Sequence, residues 1–505
     1  MTIAIERLSA RAAALLLTIF VTGLFQDLLR KSIPGQPVWL LVSFLVPAVG
    51  GLFLIRPQGL DLPSQTTLIG QRHFFRNSNP KRKRGNELGT IPRSRFGLQK
   101  RSVSAKTGAV QLRLQFSKGR STGCWSKSPL LWMAGCVLLI ASVVRLKSGL
   151  TTPTLMILLL GWMGPVVALL GFVWGKVFLT RLTSVDQKMV FTSATIGLLV
   201  FCLGSFMELL APDDHSMAWL GPMPPYRPWY RTVDADRFRM LCGFFRSPEN
   251  AGWFSAMLLL AGCLMVATKL PSQRWTQILI GTVACAVCLL AGRRKMQLMM
   301  LIAVTVAPML IARAGLRMAA RQILITVGLA ILLGCVVVAC VPKSHLYLGY
   351  FFTSPFNAPS RALVSTVEPI LAYSDRIQWF GRGLGEMAPG RQHFSGSPLF
   401  FSEGGLVRVF VETGWLGLIV FLFAVIAILF QCFGQFSLVR ICRAGQEQNS
   451  RTVLAAGATS VLCASLFCFV IGHQVYGDPF IMFLVGSALA IALPDTPQLK
   501  SCSLE

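Results

Sequence analysis

The charges that interrupt the apolar stretches of this chain fall into three groups. In "LLAGRRKMQLMM" the cations Arg293, Arg294 and Lys295 break a run otherwise apolar enough to cross a bilayer. Paired guanidinium groups suit phosphate or pyrophosphate, because each planar fork donates two parallel hydrogen bonds. The plainer reading is a turn marked by interfacial cations. In "DADRFRMLCGFFRSPENAGWF", Arg237, Arg239 and Arg246 approach the start of an apolar segment. There Ser247 and Pro248 have the pattern of a helix N-cap and first turn, which itself favours anions. In "FSEGGLVRVFVETGWLGLIVFLF", Glu403 and Arg408 stand at the mouth of an apolar segment and Glu412 lies deeper in it. Arg408 and Glu412 are four residues apart and so able to pair on one helix face. Glu403 is better placed for chemistry, though a plain interfacial carboxylate explains it equally well.

These charges need helices to hold them, and the composition says of what kind. Of 505 residues, 53% are hydrophobic and 13% charged, with mean hydropathy +0.61. Soluble globular chains carry roughly 25% charged residues, so an all-α, polytopic transmembrane helix bundle is expected. Spans need about 20 mostly apolar residues. About twelve are expected, near 12–29, 37–55, 129–144, 152–173, 189–211, 251–268, 275–292, 296–312, 322–341, 405–431, 452–472 and 475–493, so that 12–55 and 129–493 form one membrane domain. Only "GRRK" separates the seventh from the eighth, and "GHQVYGD" the last two. No cleavage site follows the first apolar run, which reads as an uncleaved span. No inverted repeat or interrupted mid-membrane helix is legible.

Three hydrophilic segments remain. Residues 56–128 hold 16 Lys/Arg against two acids, half of the net charge of +28. This basic insert lacks apolar periodicity and reads as disordered, facing anionic lipid on the cytoplasmic side; no nucleic-acid partner is expected. Residues 212–250 form a Pro- and aromatic-rich loop. Residues 342–404 form a large, partly helical loop, in which "SRALVSTVEPILAYSDRI" has helical spacing broken at Pro369. An even span count puts both termini on one side, here the cytoplasm, with 342–404 outside. The 14 cysteines lie mostly in apolar runs and read as small packers, with neither disulfides nor a zinc site. Asp234 and Asp236 form a D-x-D, for which ion pairing with Arg237 and Arg239 is the expected role rather than metal binding.

Taken in order, "GFFRSPENAG", "LAGRRK" and "GRGLG…EGGLVRVFVETGWLG" resemble the O-antigen ligase and O-antigen polymerase superfamily of bacterial membrane proteins. The resemblance is diffuse and covers roughly residues 190–430. It implies about twelve spans, both termini inside and a large periplasmic loop at 342–404, in the inner membrane. It also implies a metal-independent, cofactor-free reaction that moves a glycan from a polyprenyl-diphosphate carrier to a hydroxyl of an acceptor glycan or glycolipid, among membrane lipids. Arg239, Arg246, Arg293 and Arg294 would then neutralise the diphosphate, with Lys295 at lipid headgroups. Arg408 and Glu412 would belong to the substrate-binding set. The family's ligases place a histidine nine residues before the glutamate that matches Glu412; this chain has Glu403 there, followed by Gly404. That departure favours a polymerase, or a ligase acting on another glycan. Glu403 is the first candidate for the base that takes the acceptor proton, and His393 the second. A lipid-linked glycan transporter or flippase, or a nonenzymatic membrane assembly protein, is the alternative.

Because the basic insert has no apolar periodicity, deleting residues 75–120 is expected to leave expression and membrane insertion intact. Membrane fractionation and detergent size-exclusion of the deletion variant check this; loss of folded protein would make the insert part of the bundle.

Overall fold

The computed structural model describes Phe20, Gly23 and Leu24, then residues 129–147, 149–176, 184–210, 229–233, 236–267, 274–388, 391, 394, 402–439 and 446–493. The first two expected spans, apart from those three residues, and the basic insert lie outside the described residues.

The elements run in chain order. Helices α1 (Pro129–Leu146), α2 (Thr152–Trp174) and α3 (Ser184–Leu210) come first. Strands β1 (Trp229–Val233) and β2 (Asp236–Met240) pair antiparallel, with Arg231 opposite Phe238. Helices α4 (Pro248–Ala267), α5 (Arg274–Leu290), α6 (Arg294–Arg313) and α7 (Arg317–Ala339) follow. Next comes α8 (Ser344–Ala362), continued by a π-helical turn (Leu363–Val367) into α9 (Glu368–Tyr373). The chain ends with α10 (Gly405–Val439), α11 (Gln446–Ile471), a 3-10 turn (Gln474–Gly477) and α12 (Pro479–Ala492).

Six stretches among the described residues are long and apolar enough to cross a membrane: Thr152–Trp174, Thr192–Leu210, Arg294–Arg313, Arg317–Ala339, Gly405–Phe436 and Arg451–Ile471. The chain is a multi-pass, predominantly helical membrane protein. Many large apolar side chains face outward, such as Leu159, Leu332 and Phe423, as expected of surfaces that meet acyl chains. Helices α4–α7 and α11 pack together around a centre of small residues and methionines, including Ala284, Ala286, Met299 and Ala303. A second layer joins α2 to α12, where the Ser487 hydroxyl reaches the Gly171 carbonyl at 3.1 Å. Small residues allow that close approach, which interhelical packing in lipid relies on.

Three expectations need correction. The 212–250 segment is more than a loop, since it contains the β1–β2 hairpin, a small addition to a fold that is all-α as expected. Pro369 does not break the helical run. The distortion precedes it, as the π turn at Leu363–Val367. Proline has no N–H to donate, so the Ser365 carbonyl is released from the usual i to i+4 bond. It accepts instead from the Ser402 hydroxyl at 3.1 Å. Finally, α10 is interrupted. Gly414 has φ 71° and ψ −167° in the middle of it, so a short helix carrying Arg408 and Glu412 precedes the long apolar one. Glu412 therefore stands beside a break, not deep within one continuous span.

The break would strand backbone groups that helices in lipid must satisfy internally. The "GRGLG" segment takes them over. Arg382 N–H donates to the Val411 carbonyl at 2.8 Å, and Gly383 N–H to the Glu412 carbonyl at 3.2 Å. Leu416 N–H donates to the Trp379 carbonyl at 3.2 Å. Beyond it, Arg145 of α1 pairs with Glu386, which also pairs with Arg391 at 2.9 Å.

Gly414→Ala is expected to destabilise the protein. A Cβ there would collide with the Trp379 carbonyl, and the left-handed φ alone costs a non-glycine residue about 1–3 kcal/mol. Thermal unfolding in detergent checks this, with Gly434→Ala, where a Cβ meets nothing, expected to be close to neutral.

Candidate functional site

The "GRRK" turn is built jointly by the α5–α6 corner and the hairpin. Gly292 makes the corner with φ 62°, and a Cβ there would press on Met240 Cγ at 2.9 Å and Phe238 Cε2 at 3.0 Å. Leu241 N–H donates to the Leu290 carbonyl at 3.1 Å, sealing hairpin to corner. Arg293 and Arg294 are sequence neighbours at a helix start, about 100° apart around its axis, and they part company. Arg293 turns to Glu249 at 3.0 Å and stacks over Trp229 at 5.5 Å. Arg294 lies over the Tyr350 ring at 3.7 Å. They do not form the matched pair that the spacing suggested. Lys295 also turns inward, 3.9 Å from Glu249 and 3.3 Å from the Gln474 side chain. Its side chain is only 9% exposed, so it does not stand free at lipid headgroups.

What joins Arg294 is different. Arg231 of β1 lies over the same Tyr350 ring at 4.9 Å. Arg361, near the end of α8, is close enough that Arg294 and Arg231 hold its pKa down, after burial as the larger cause. Tyr350 and Glu403 oppose that shift. Arg231 and Arg294 thus share one aromatic ring, with Arg361 in electrostatic reach of both, and none of the three has a carboxylate within ion-pair distance among the described residues. The buried Nε of Arg294 has no hydrogen-bond partner there. Clustered cations without counter-charge repel one another, which an anion would relieve.

Glu403 is exposed. Its carboxylate is in electrostatic reach of Arg361, and its carbonyl is held from behind. His473 donates its backbone N–H to that carbonyl at 2.8 Å, with its ring Nδ1 2.9 Å away. Burial, then Arg408, lowers the His473 pKa to about 4; Lys295 adds to the shift, while the Glu403 and Met387 carbonyls oppose it.

His473 belongs to "GHQVYGD", the link between the last two apolar segments, and that link is a hub. Asp478 caps α12 by accepting from Phe480 N–H at 2.9 Å and Ile481 N–H at 3.3 Å. Its other oxygen accepts from the Asn250 amide at 3.0 Å, joining α12 to the start of α4. Ser247 caps that start, accepting from Asn250 N–H at 3.3 Å. Arg408 lines a small pocket with Tyr476, Gly477 and Asp478.

The remaining sequence candidates lie around these groups. Arg408 pairs with Glu412 at 3.2 Å, as their spacing allows, and Glu412 also accepts from Met387 N–H at 3.1 Å. Arg239 pairs with Glu208 of α3 at 3.5 Å. Glu208 is fully buried and also accepts from the N–H groups of Cys242 and Gly243. Arg246 sits in the turn that enters α4. His393 and Asp234 lie outside the described residues. Sequence reasoning missed Arg231, Tyr350, Arg361, His473 and Asp478. Only Asp478 carried a local signal, as an acidic N-cap before a proline.

Compared with protein-family models the chain matches none, and no curated protein matches it.

His473 is expected to make the protein acid-sensitive. Its folded pKa lies below the unfolded value near 6.5, so the unfolded state binds more protons between pH 6.5 and 4. Stability is therefore full above pH 6.5 and falls towards pH 4, by about 3 kcal/mol for a shift of this size. Thermal unfolding across that range is the measurement, and His473→Gln is expected to flatten the slope.

Proposed function

We propose that this chain is a glycosyltransferase-type membrane enzyme of the O-antigen ligase or polymerase kind. It would move a glycan from a polyprenyl-diphosphate carrier to the hydroxyl of an acceptor glycan or glycolipid. In this reading it works at the periplasmic face of a bacterial inner membrane. About twelve spans, both termini in the cytoplasm and 342–404 outside complete the arrangement.

One observation carries the reading: Arg231 and Arg294 lie over the Tyr350 ring with no carboxylate in ion-pair distance among the described residues, and Arg361, which feels both of them and Glu403 electrostatically, completes the group. A diphosphate is the leaving group of the proposed transfer. Negative charge grows on it as the glycosidic bond breaks, and preorganised guanidinium groups stabilise that charge in a site with little water. Charge-assisted, bidentate hydrogen bonds suit both phosphates. The N-terminus of α6, which begins at Arg294, adds a favourable field. Glu403 is the group placed to take the acceptor proton, leaving the acceptor oxygen to attack the anomeric carbon as the diphosphate departs. His393 remains the second candidate for that role. Arg293, Lys295, Arg239 and Arg408 are already matched by carboxylates and act as the frame.

The interruption of α10 at Gly414 favours a second reading, a transporter, since broken helices line the binding sites of many carriers. Here the Val411 and Glu412 carbonyls and the Leu416 N–H beside the break bond to residues 379–383 and are not open to cargo, which weighs toward the enzyme.

The test is purified protein in proteoliposomes with a polyprenyl-diphosphate glycan, with binding, transfer and translocation measured separately. Glu403→Gln is expected to bind the carrier and to lose transfer by about 10²–10⁴-fold, the usual contribution of a general base. Arg294→Lys keeps the charge but loses the planar fork, and is expected to impair transfer. Arg294→Ala and Arg361→Ala are expected to weaken carrier binding as well. Normal transfer by Glu403→Gln would shift the base to His393. Normal binding by both alanine variants would remove the anion site, and translocation without transfer would favour the transporter.

A further inference from the structure

The segment from α8 through the π turn to α9 is a nearly continuous helical rod, residues 344–373. Its inner side is tied to the bundle. Tyr347, Tyr350 and Phe351 are buried. The Tyr347 hydroxyl donates to the Arg239 carbonyl, and Thr366 to the Val470 carbonyl at 3.0 Å. Ser402 holds the Ser365 carbonyl. Its outer side is apolar and open. Phe352, Phe356, Leu363, Val367 and Leu371 recur at intervals of four and seven residues, and they are 61%, 85%, 52%, 43% and 64% exposed.

An apolar stripe of this size facing water would be costly. Its place in the chain says what covers it. Helix α7 has 23 residues, about 35 Å at 1.5 Å per residue, which spans the hydrocarbon core with some tilt. Its outward side chains Leu329, Leu332, Val336 and Val337 face lipid. Residues 340–343 then turn directly into α8, so α8 starts at the boundary of the bilayer. Pro355, Thr353, Asn357, Pro359 and Ser360 make α8 a poor membrane-spanning segment, and it is not among the six that qualify. Arg361 lies half-buried on the rod, toward the cation cluster.

We infer that residues 344–373 form an interfacial helix, with the Phe352–Leu371 stripe seated among the acyl chains of the bilayer and the opposite side anchored on the bundle. This is the geometry of an amphipathic helix lying in the membrane plane. It sets the depth of the arginine cluster: Tyr350 and Arg361 belong to the same rod, so the cluster stands at headgroup level, open to lipid-borne anions. The inference does not rest on the proposed glycan transfer.

The test places a photoreactive p-benzoylphenylalanine at Phe356 and, separately, at Leu371 in the full-length chain. The purified protein is reconstituted in nanodiscs of phosphatidylcholine and phosphatidylglycerol, irradiated and analysed by mass spectrometry. Both positions are exposed, so the substitutions disturb no packing. Ile325 on α7, 54% exposed, fixes the lipid-adduct yield for a lipid-facing site, and buried Phe351 the yield for an internal one. Phospholipid adducts at 356 and 371 within about twofold of the Ile325 yield are expected. Adducts at or below the Phe351 level would overturn the inference, as would crosslinks between two copies of the chain in their place.

Discussion

A cation among apolar helices must be matched, and one buried carboxylate, Glu249, answers both Arg293 and Lys295 in the α5–α6 corner. The rest of the arrangement depends on that match. Glu249 occupies the first turn of α4, whose entry is capped by Ser247 and tied through Asn250 to Asp478. Three helix ends, those of α4, α6 and α12, are thereby held at one level. Removing one partner of such a set would leave an uncompensated charge, which costs far more than the pair itself contributes.

With Glu249 engaged, the cations of the corner divide by function. Arg293 and Lys295 are paired with that carboxylate. Arg294 is left facing an aromatic ring, and the hairpin and α8 bring Arg231 and Arg361 to it. The same economy holds elsewhere. Arg239 faces Glu208, Arg408 faces Glu412 and Arg145 faces Glu386. Against that background, Arg231, Arg294 and Arg361 stand out as three inward arginines with no carboxylate within 4 Å among the described residues.

The second constraint is the backbone. The left-handed Gly414 interrupts α10, and the π turn before Pro369 interrupts the 344–373 rod. Each releases backbone groups that a neighbouring segment satisfies: Arg382 and Gly383 donate to α10 carbonyls and Trp379 accepts from Leu416, while Ser402 donates to the π turn. These two docking points bracket Glu403. Its carbonyl is held by His473 and its neighbour Ser402 is bonded to the Ser365 carbonyl, so an exposed carboxylate is presented from an anchored main chain.

Much of the architecture was legible in the sequence because lipid imposes a simple rule: backbone groups must pair within helices, and apolar runs of sufficient length declare those helices. The separation of α5 from α6 by a few residues, the cap at Ser247 and the Arg408–Glu412 pair all follow from local spacing. The partners of the charges did not. Whether Arg294 meets Arg293, a carboxylate or Tyr350 depends on where β1 and α8 come to lie, and those elements are 63 residues before and 50 or more after it in the chain. Arg361 opens a stretch of helical spacing and Arg231 lies in a Pro- and aromatic-rich segment, but neither pattern marks those charges out, and His473 sits in a short link. The types of charged residue present, and the helices that carry most of them, were determined by the sequence alone. Which charges cancel and which remain available was decided only by tertiary structure, because electrostatic pairing acts over a few ångströms of space, whatever the separation along the chain.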